Sequence, residues 1–107
     1  MRIRPATRAD LVAFYGRPPS MTVRALVAVD ADDRPVGVGG YYLKDGTAVA
    51  FSDQVGMNKR DMVRAGRPLM AMLKRLGMTI VAASDTTEAT ALRHFGFAPA
   101  GALWRLD

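Results

Sequence analysis

The residues best suited to chemistry lie in one run, Asp53-Gln54-Val55-Gly56-Met57-Asn58-Lys59-Arg60-Asp61-Met62-Val63-Arg64-Ala65-Gly66. It opens as a small-residue strand and turns into a helix start loaded with cations. The first N–H groups of a helix are unpaired and carry the positive end of its dipole. Nearby Lys and Arg reinforce them, so such a start favours an anion, phosphate above all. A phosphorylated ligand is the first expectation. Asp53 adds a second kind of chemistry. It follows Val49 and Phe51 on one strand face and precedes Val55 there, an apolar setting that suits a general base toward an amine. The plainer reading of Asp53 is a strand-end residue serving the next loop.

Other reactive residue types carry weaker signals. Ser84 and Asp85 stand at the mouth of a short strand, where Asp85 reads as a helix cap or as a contact to a ligand. His94 is the only histidine, off the apolar stripe of its helix, and a lone His without Cys or clustered acids does not make a metal site. Tyr41 and Tyr42 point to opposite faces of one strand. No Ser–His–Asp arrangement, Walker turn or zinc spacing is present, so no metal is expected.

These residues need a scaffold, and the composition allows one. The 107 residues are 50% hydrophobic and 23% charged, enough for a packed core in a single domain over 1–107. There is no cysteine, which removes disulfides and thiolate catalysis. No apolar run approaches the roughly 18 residues that span a bilayer. The polar start Met1-Arg2-Ile3-Arg4-Pro5 is unlike a signal peptide, so a cytoplasmic protein is expected. The net charge is +5. Six cations (Lys59, Arg60, Arg64, Arg67, Lys74, Arg75) fall within residues 59–75 with only Asp61 opposing. A solvated helix face, a phosphate-bearing small ligand and nucleic acid all fit that cluster. Nucleic acid fits worst, since it usually asks for more charge and for exposed stacking aromatics.

The elements follow from period and punctuation. Residues 2–6 read as a strand. Thr7 caps a helix over 8–15 with Asp10 as its acidic partner, Leu11, Phe14 and Tyr15 at helical spacing, and a break at Gly16–Ser20. Thr22–Val29 and Val36–Leu43 read as strands, the second loosened by Gly37, Gly39 and Gly40, which predict a bulge or the close approach of another group. Asp45-Gly46 predicts a two-residue hairpin turn into a strand over 47–55. A helix over 61–76 carries Pro68, predicting a kink or a restart there. Met78–Ala83 reads as a buried strand, residues from Asp85 to Gly96 as a helix, and 100–106 as the last strand, with Trp104 in the core. The order is strand, helix, three strands, helix, strand, helix, strand: an α+β fold with one mixed sheet and helices on both faces.

That order resembles the GNAT (GCN5-related) N-acetyltransferase superfamily, and two motifs strengthen the likeness. Arg2-Ile3-Arg4-Pro5-Ala6-Thr7-Arg8-Ala9-Asp10-Leu11 is similar to the family's opening I-R-P-A-T-x-x-D, and Ala91-Leu92-Arg93-His94-Phe95-Gly96-Phe97 to its A-L-Y-x-x-x-G-F helix exit. The resemblance implies acetyl-CoA as co-substrate, lying between the fourth and fifth strands. Its pantetheine arm would pair with the backbone of 52–55, including Gln54 and Val55, whose N–H groups would polarise the thioester carbonyl. Its pyrophosphate would rest on 57–65, on Lys59, Arg60, Asp61, Met62, Val63, Arg64 and Ala65, with Asp85 nearby. Asp53 or a water would take the proton of a small-molecule or protein amine acceptor. Two positions depart from the family pattern. Arg60–Ala65 matches the first and last members of Arg/Gln-x-x-Gly-x-Gly/Ala, but Val63 replaces the central glycine and would crowd the phosphates. Leu92 stands where the family often has a Tyr that protonates the departing thiolate. These changes leave a second reading open, a non-catalytic module of the same fold, as in similarly eroded phage and prophage proteins. A homodimer through an exposed strand edge is possible on either reading.

Overall fold

The computed structural model describes residues 1–82, 89–101 and 103–106, with the side chains of 89–91 excepted. The elements are β1 (Arg2–Pro5), α1 (Arg8–Tyr15), β2 (Arg24–Val29), β3 (Pro35–Lys44), β4 (Thr47–Gln54), α2 (Lys59–Lys74), β5 (Ile80–Ala82), α3 (Ala89–His94), β6 (Ala98–Ala100) and β7 (Leu103–Leu106). All seven strands form one sheet in the order β1-β2-β3-β4-β5-β7-β6. Among the described pairs only β4–β5 is parallel, which is the α+β mixed sheet expected.

Helix α1 forms where its caps are. The Thr7 hydroxyl accepts the Asp10 N–H at 3.2 Å while Asp10 Oδ2 accepts the Thr7 N–H at 2.8 Å, a reciprocal capping box. Gly16 closes the helix at φ 79°, its N–H donating to the Val12 carbonyl. Asp10 also accepts both terminal nitrogens of Arg4, at 2.5 and 2.9 Å, which ties β1 to α1. The Arg4 hydrogen bond, opposed by burial and helped by Thr7, holds the Asp10 carboxyl at about 2, below its usual 3.8. A depressed folded value means stability present above the unfolded value and lost as pH falls through the folded one. The urea midpoint is therefore expected to hold down to about pH 5 and to drop between about pH 4 and 2. In Asp10→Asn that segment of the drop is absent, and an unaltered profile would show that the pair does not control acid stability.

The two sheet faces carry separate cores, as adjacent residues of β3 show. Val38 packs with Leu11, Val27 and Val29 and with the half-buried Phe14 and Phe51 under α1. On the opposite face a Cβ at Gly39 would lie 2.7 Å from Leu69 of α2. There Met70 and Leu73 of α2 bury Ala48, Ile80, Ala82 and Phe97, flanked by Tyr41, Leu92 and Trp104.

The structure corrects three expectations about elements and decides a fourth. The last strand is two: β6 and β7 pair antiparallel about Gly101, which has φ 67°. Helix α2 starts two residues earlier, because the Asn58 side chain accepts the Asp61 N–H at 2.8 Å and caps it. Of the two outcomes expected at Pro68, the restart does not occur: the helix continues through it. Pro68 is exposed, as is Arg64, whose carbonyl the N–H missing at Pro68 would have paired. Tyr15 does not join the apolar stripe of α1 but stays 40% exposed at its end.

Candidate functional site

The site begins at the C-terminal end of β4. β3 and β4 pair in register with Val38 opposite Asp53 and Gly37 opposite Gln54. The Val55 N–H donates to the Val36 carbonyl at 2.9 Å, and the Ala48 N–H to the Thr79 carbonyl at 3.3 Å. Peptide direction alternates along a strand, so Val49, Phe51, Asp53 and Val55 address β3 while Ala48, Ala50, Ser52 and Gln54 address the β5 side. The described β4–β5 pairing ends at Ala50 opposite Ala82. The peptide groups of Ser52 and Gln54 thus lie beyond it, on the side of β4 that turns away from β3.

This corrects the expectation for the carbonyl-polarising donors. The Val55 N–H is already used within the sheet, and of the two residues named only Gln54 directs its N–H toward the β5 side. Gln54 also shapes the turn, its side-chain carbonyl accepting the Met57 N–H at 3.0 Å. Gly56 between them takes φ 72°, a conformation glycine adopts without strain. The Val55 side chain is 71% exposed.

Past this turn, the start of α2 gathers the cations. Lys59, Arg60, Val63, Arg64 and Arg67 line an open depression of about 540 Å³. Arg60, Arg64 and Arg67 recur at i, i+4 and i+7, which places them along one helix face. Two cations in the first turn oppose the helix dipole, an arrangement that favours an anion arriving from outside. Asp61 lies 3.9 Å from Arg64, close enough for that cation to offset part of its charge. Val63 lines the depression itself, so the β-branched side chain occupies space that a glycine would leave open. Met62 and Ala65 are half-buried, turned partly toward the protein. Asp85 lies outside the described residues, as does Ser84.

Asp53 lies on the other face of the sheet, and its surroundings differ from those expected. The strand rises out of the core after Phe51, so Ser52, Asp53 and Gln54 are all exposed and the carboxylate is not enclosed by apolar neighbours. Its partner is Tyr15, whose hydroxyl donates to Asp53 Oδ2 at 2.6 Å. Partial burial, and then the contact with Asp53, push the Tyr15 phenol above the ordinary tyrosine range, so it remains a donor. Among the described residues no cation pairs with Asp53. The Tyr15 role escaped the sequence reading, since a ring at helical spacing after Leu11 and Phe14 looks like core. Leu92 packs into the α2-side core, and a hydrocarbon there supplies no proton. His94 is exposed, its ring edge-on to Phe95 at 5.1 Å.

A mostly antiparallel sheet whose one described parallel pair lies beside a basic helix start is the architecture of the GNAT N-acetyltransferases, and this chain has that fold. Solved structures of the spermidine N-acetyltransferase SpeG from Vibrio cholerae share it. A point mutant superposes with a TM-score of 0.65 at 14% identity, over 94% of this chain and 82% of that one. A chimera of the Vibrio cholerae enzyme with hSSAT gives 0.63 at 13% identity, over 98% and 94%. Two further mutant forms of the enzyme, described together, give 0.62 at 14% identity, over 97% and 91%. No family model and no curated sequence matches the chain. At such identities the likeness establishes the fold alone. No helix among the described residues is long and apolar enough to cross a membrane.

Proposed function

We propose that this chain binds acetyl-CoA between β4 and β5 and transfers its acetyl group to an amine. The observation that carries the reading is the conjunction at the end of β4. Peptide groups of Ser52 and Gln54 lie past the described β5 pairing, and the Lys59–Arg67 depression follows within one turn. The peptide groups of Ser52 and Gln54 offer donors and acceptors to an amide-bearing arm. Lys59, Arg60, Arg64 and Arg67 offer charge to its phosphates. Acetyl-CoA supplies an activated acetyl thioester. The chain's part is to hold that acyl group near the Gln54 N–H and to place Asp53, or a water on it, where it accepts the proton of the incoming amine. Leu92 leaves the departing thiolate without a side-chain acid at that position, which a good leaving group tolerates. The SpeG structures belong to an enzyme that acetylates spermidine, and the acceptor of this chain is an amine whose identity is open.

Val63 supports a second reading, a non-catalytic module, because its side chain lies where the phosphates would have to approach. Isothermal titration with acetyl-CoA, beside CoA without the acetyl group, separates the two. Micromolar binding is expected, weakened about 10-fold or more in Arg60→Ala or Arg64→Ala through loss of a charge-assisted contact. No binding at millimolar acetyl-CoA would overturn the transferase and leave the module.

A further inference from the structure

We propose that Tyr15 is a positioning residue of the acceptor side, holding Asp53 through one oxygen so that the other is presented to the incoming amine. The inference rests on the acetyltransferase reading and adds a residue to it.

The contact joins two segments 38 residues apart in sequence. Tyr15 is the last residue of α1, and the left-handed Gly16 turns the chain away directly after it. Its ring stands edge-on to Phe14, with centroids 4.9 Å apart and planes at 83°. Phe14 in turn packs on the α1-side core beside Phe51, which lies two residues before Asp53 on the same strand face. Both ends of the hydrogen bond are thus fixed to one core, while the phenol oxygen and the carboxylate remain at the surface where an acceptor can reach them. The bond engages Oδ2 at 2.6 Å. Among the described residues Oδ1 has no partner, so the free oxygen is the one available to an amine N–H. A carboxylate on a strand end would otherwise swing about its Cα–Cβ bond. The phenol restricts that rotation and fixes the direction in which the proton is taken. The same phenol cannot compete for the amine proton, because its ionisation is pushed upward by burial and by Asp53.

A double-mutant cycle on transfer tests this, with acetyl-CoA titration and melting temperature measured alongside. Tyr15→Phe keeps the ring and its packing on Phe14 and removes only the hydroxyl. It is expected to lower kcat by about 10- to 100-fold, the scale of one hydrogen bond to a charged group, with acetyl-CoA affinity and melting temperature unchanged. In the Asp53→Asn background the same change is expected to alter kcat by less than about 2-fold, because Tyr15 acts through Asp53. Full additivity of the two losses, or a fall in melting temperature that accounts for them, overturns the proposal in favour of a packing role. A readout independent of turnover is the ζ-carbon NMR resonance of Tyr15, assigned from its disappearance in Tyr15→Phe. It is expected to move in Asp53→Ala, which removes the acceptor, and an unmoved resonance shows that the contact is not made in solution and overturns the proposal. Absent acetyl-CoA binding, by contrast, removes the acetyltransferase reading itself and the role of Tyr15 with it.

Discussion

On the proposed transferase function, Asp53→Asn is expected to lower kcat for amine acetylation by about 10²- to 10⁴-fold, the range lost with a positioned general base, with acetyl-CoA affinity unchanged. The amide has the shape of the carboxylate and can still accept the Tyr15 hydroxyl, so the site keeps its geometry. What it lacks is the capacity to take a proton. Affinity is preserved because the two functions occupy different places: the Asp53 side chain lies on the α1 face of the sheet, whereas the cations belong to α2 on the other. Steady-state rates against a panel of primary amines, beside titration with acetyl-CoA, give the comparison. A rate within about 2-fold of the parent chain would remove Asp53 from the proton path and leave that task to solvent.

Gly40→Ala has the largest effect expected on the fold, a loss of about 2–4 kcal/mol by urea denaturation, from forcing a side chain into filled space. A Cβ at Gly40 would lie 2.1 Å from the Arg24 carbonyl oxygen and 2.7 Å from Ala25 Cα. Those are backbone atoms of β2, and neither can turn aside. Relief requires moving β2 away from β3, and with it the pairing of Ala25 and Gly40 and its neighbours. Gly39→Ala makes the comparison. There the obstruction is the tip of Leu69, at 2.7 Å, which another rotamer withdraws, so a loss of about 1 kcal/mol or less is expected. Equal losses at the two positions would mean that β2 yields as easily as a leucine tip. Against a typical domain stability of about 5–15 kcal/mol, the Gly40 loss is a large fraction.

What could be read in the sequence was what is local. The Thr7–Asp10 box, Gly16 behind α1 and Asp45-Gly46 between β3 and β4 each fix structure within a few residues. Asp45 and Gly46 take φ 51° and 76° as a two-residue turn of that kind requires. The cluster Gly37, Gly39, Gly40 announced close approach, and three different groups make it: Met57, Leu69 and the β2 backbone. Asn58 was missed as a cap because the apolar stripe of α2 begins only at Met62, so periodicity placed the helix start too late. The β6–β7 turn was missed because 100–106 reads as one alternating strand, and Gly101 alone is a weak turn signal. At the site, the basic helix face was legible from spacing. The Tyr15–Asp53 contact was not, since nothing near either residue names a partner 38 positions away. Nor could alternation alone show that Val55 spends its N–H on Val36, which depends on the register of β3 against β4.

Both outer strands of the sheet share one trait. β1 is four residues long and carries Pro5, while β6 is three residues long and carries Pro99. Each proline removes a backbone donor from the strand at which another chain would have to add. Short rims broken by proline are poor templates, so crowded or partly unfolded copies have no long ladder to extend from either side. Stitching two copies into one continuous sheet is therefore disfavoured at both rims.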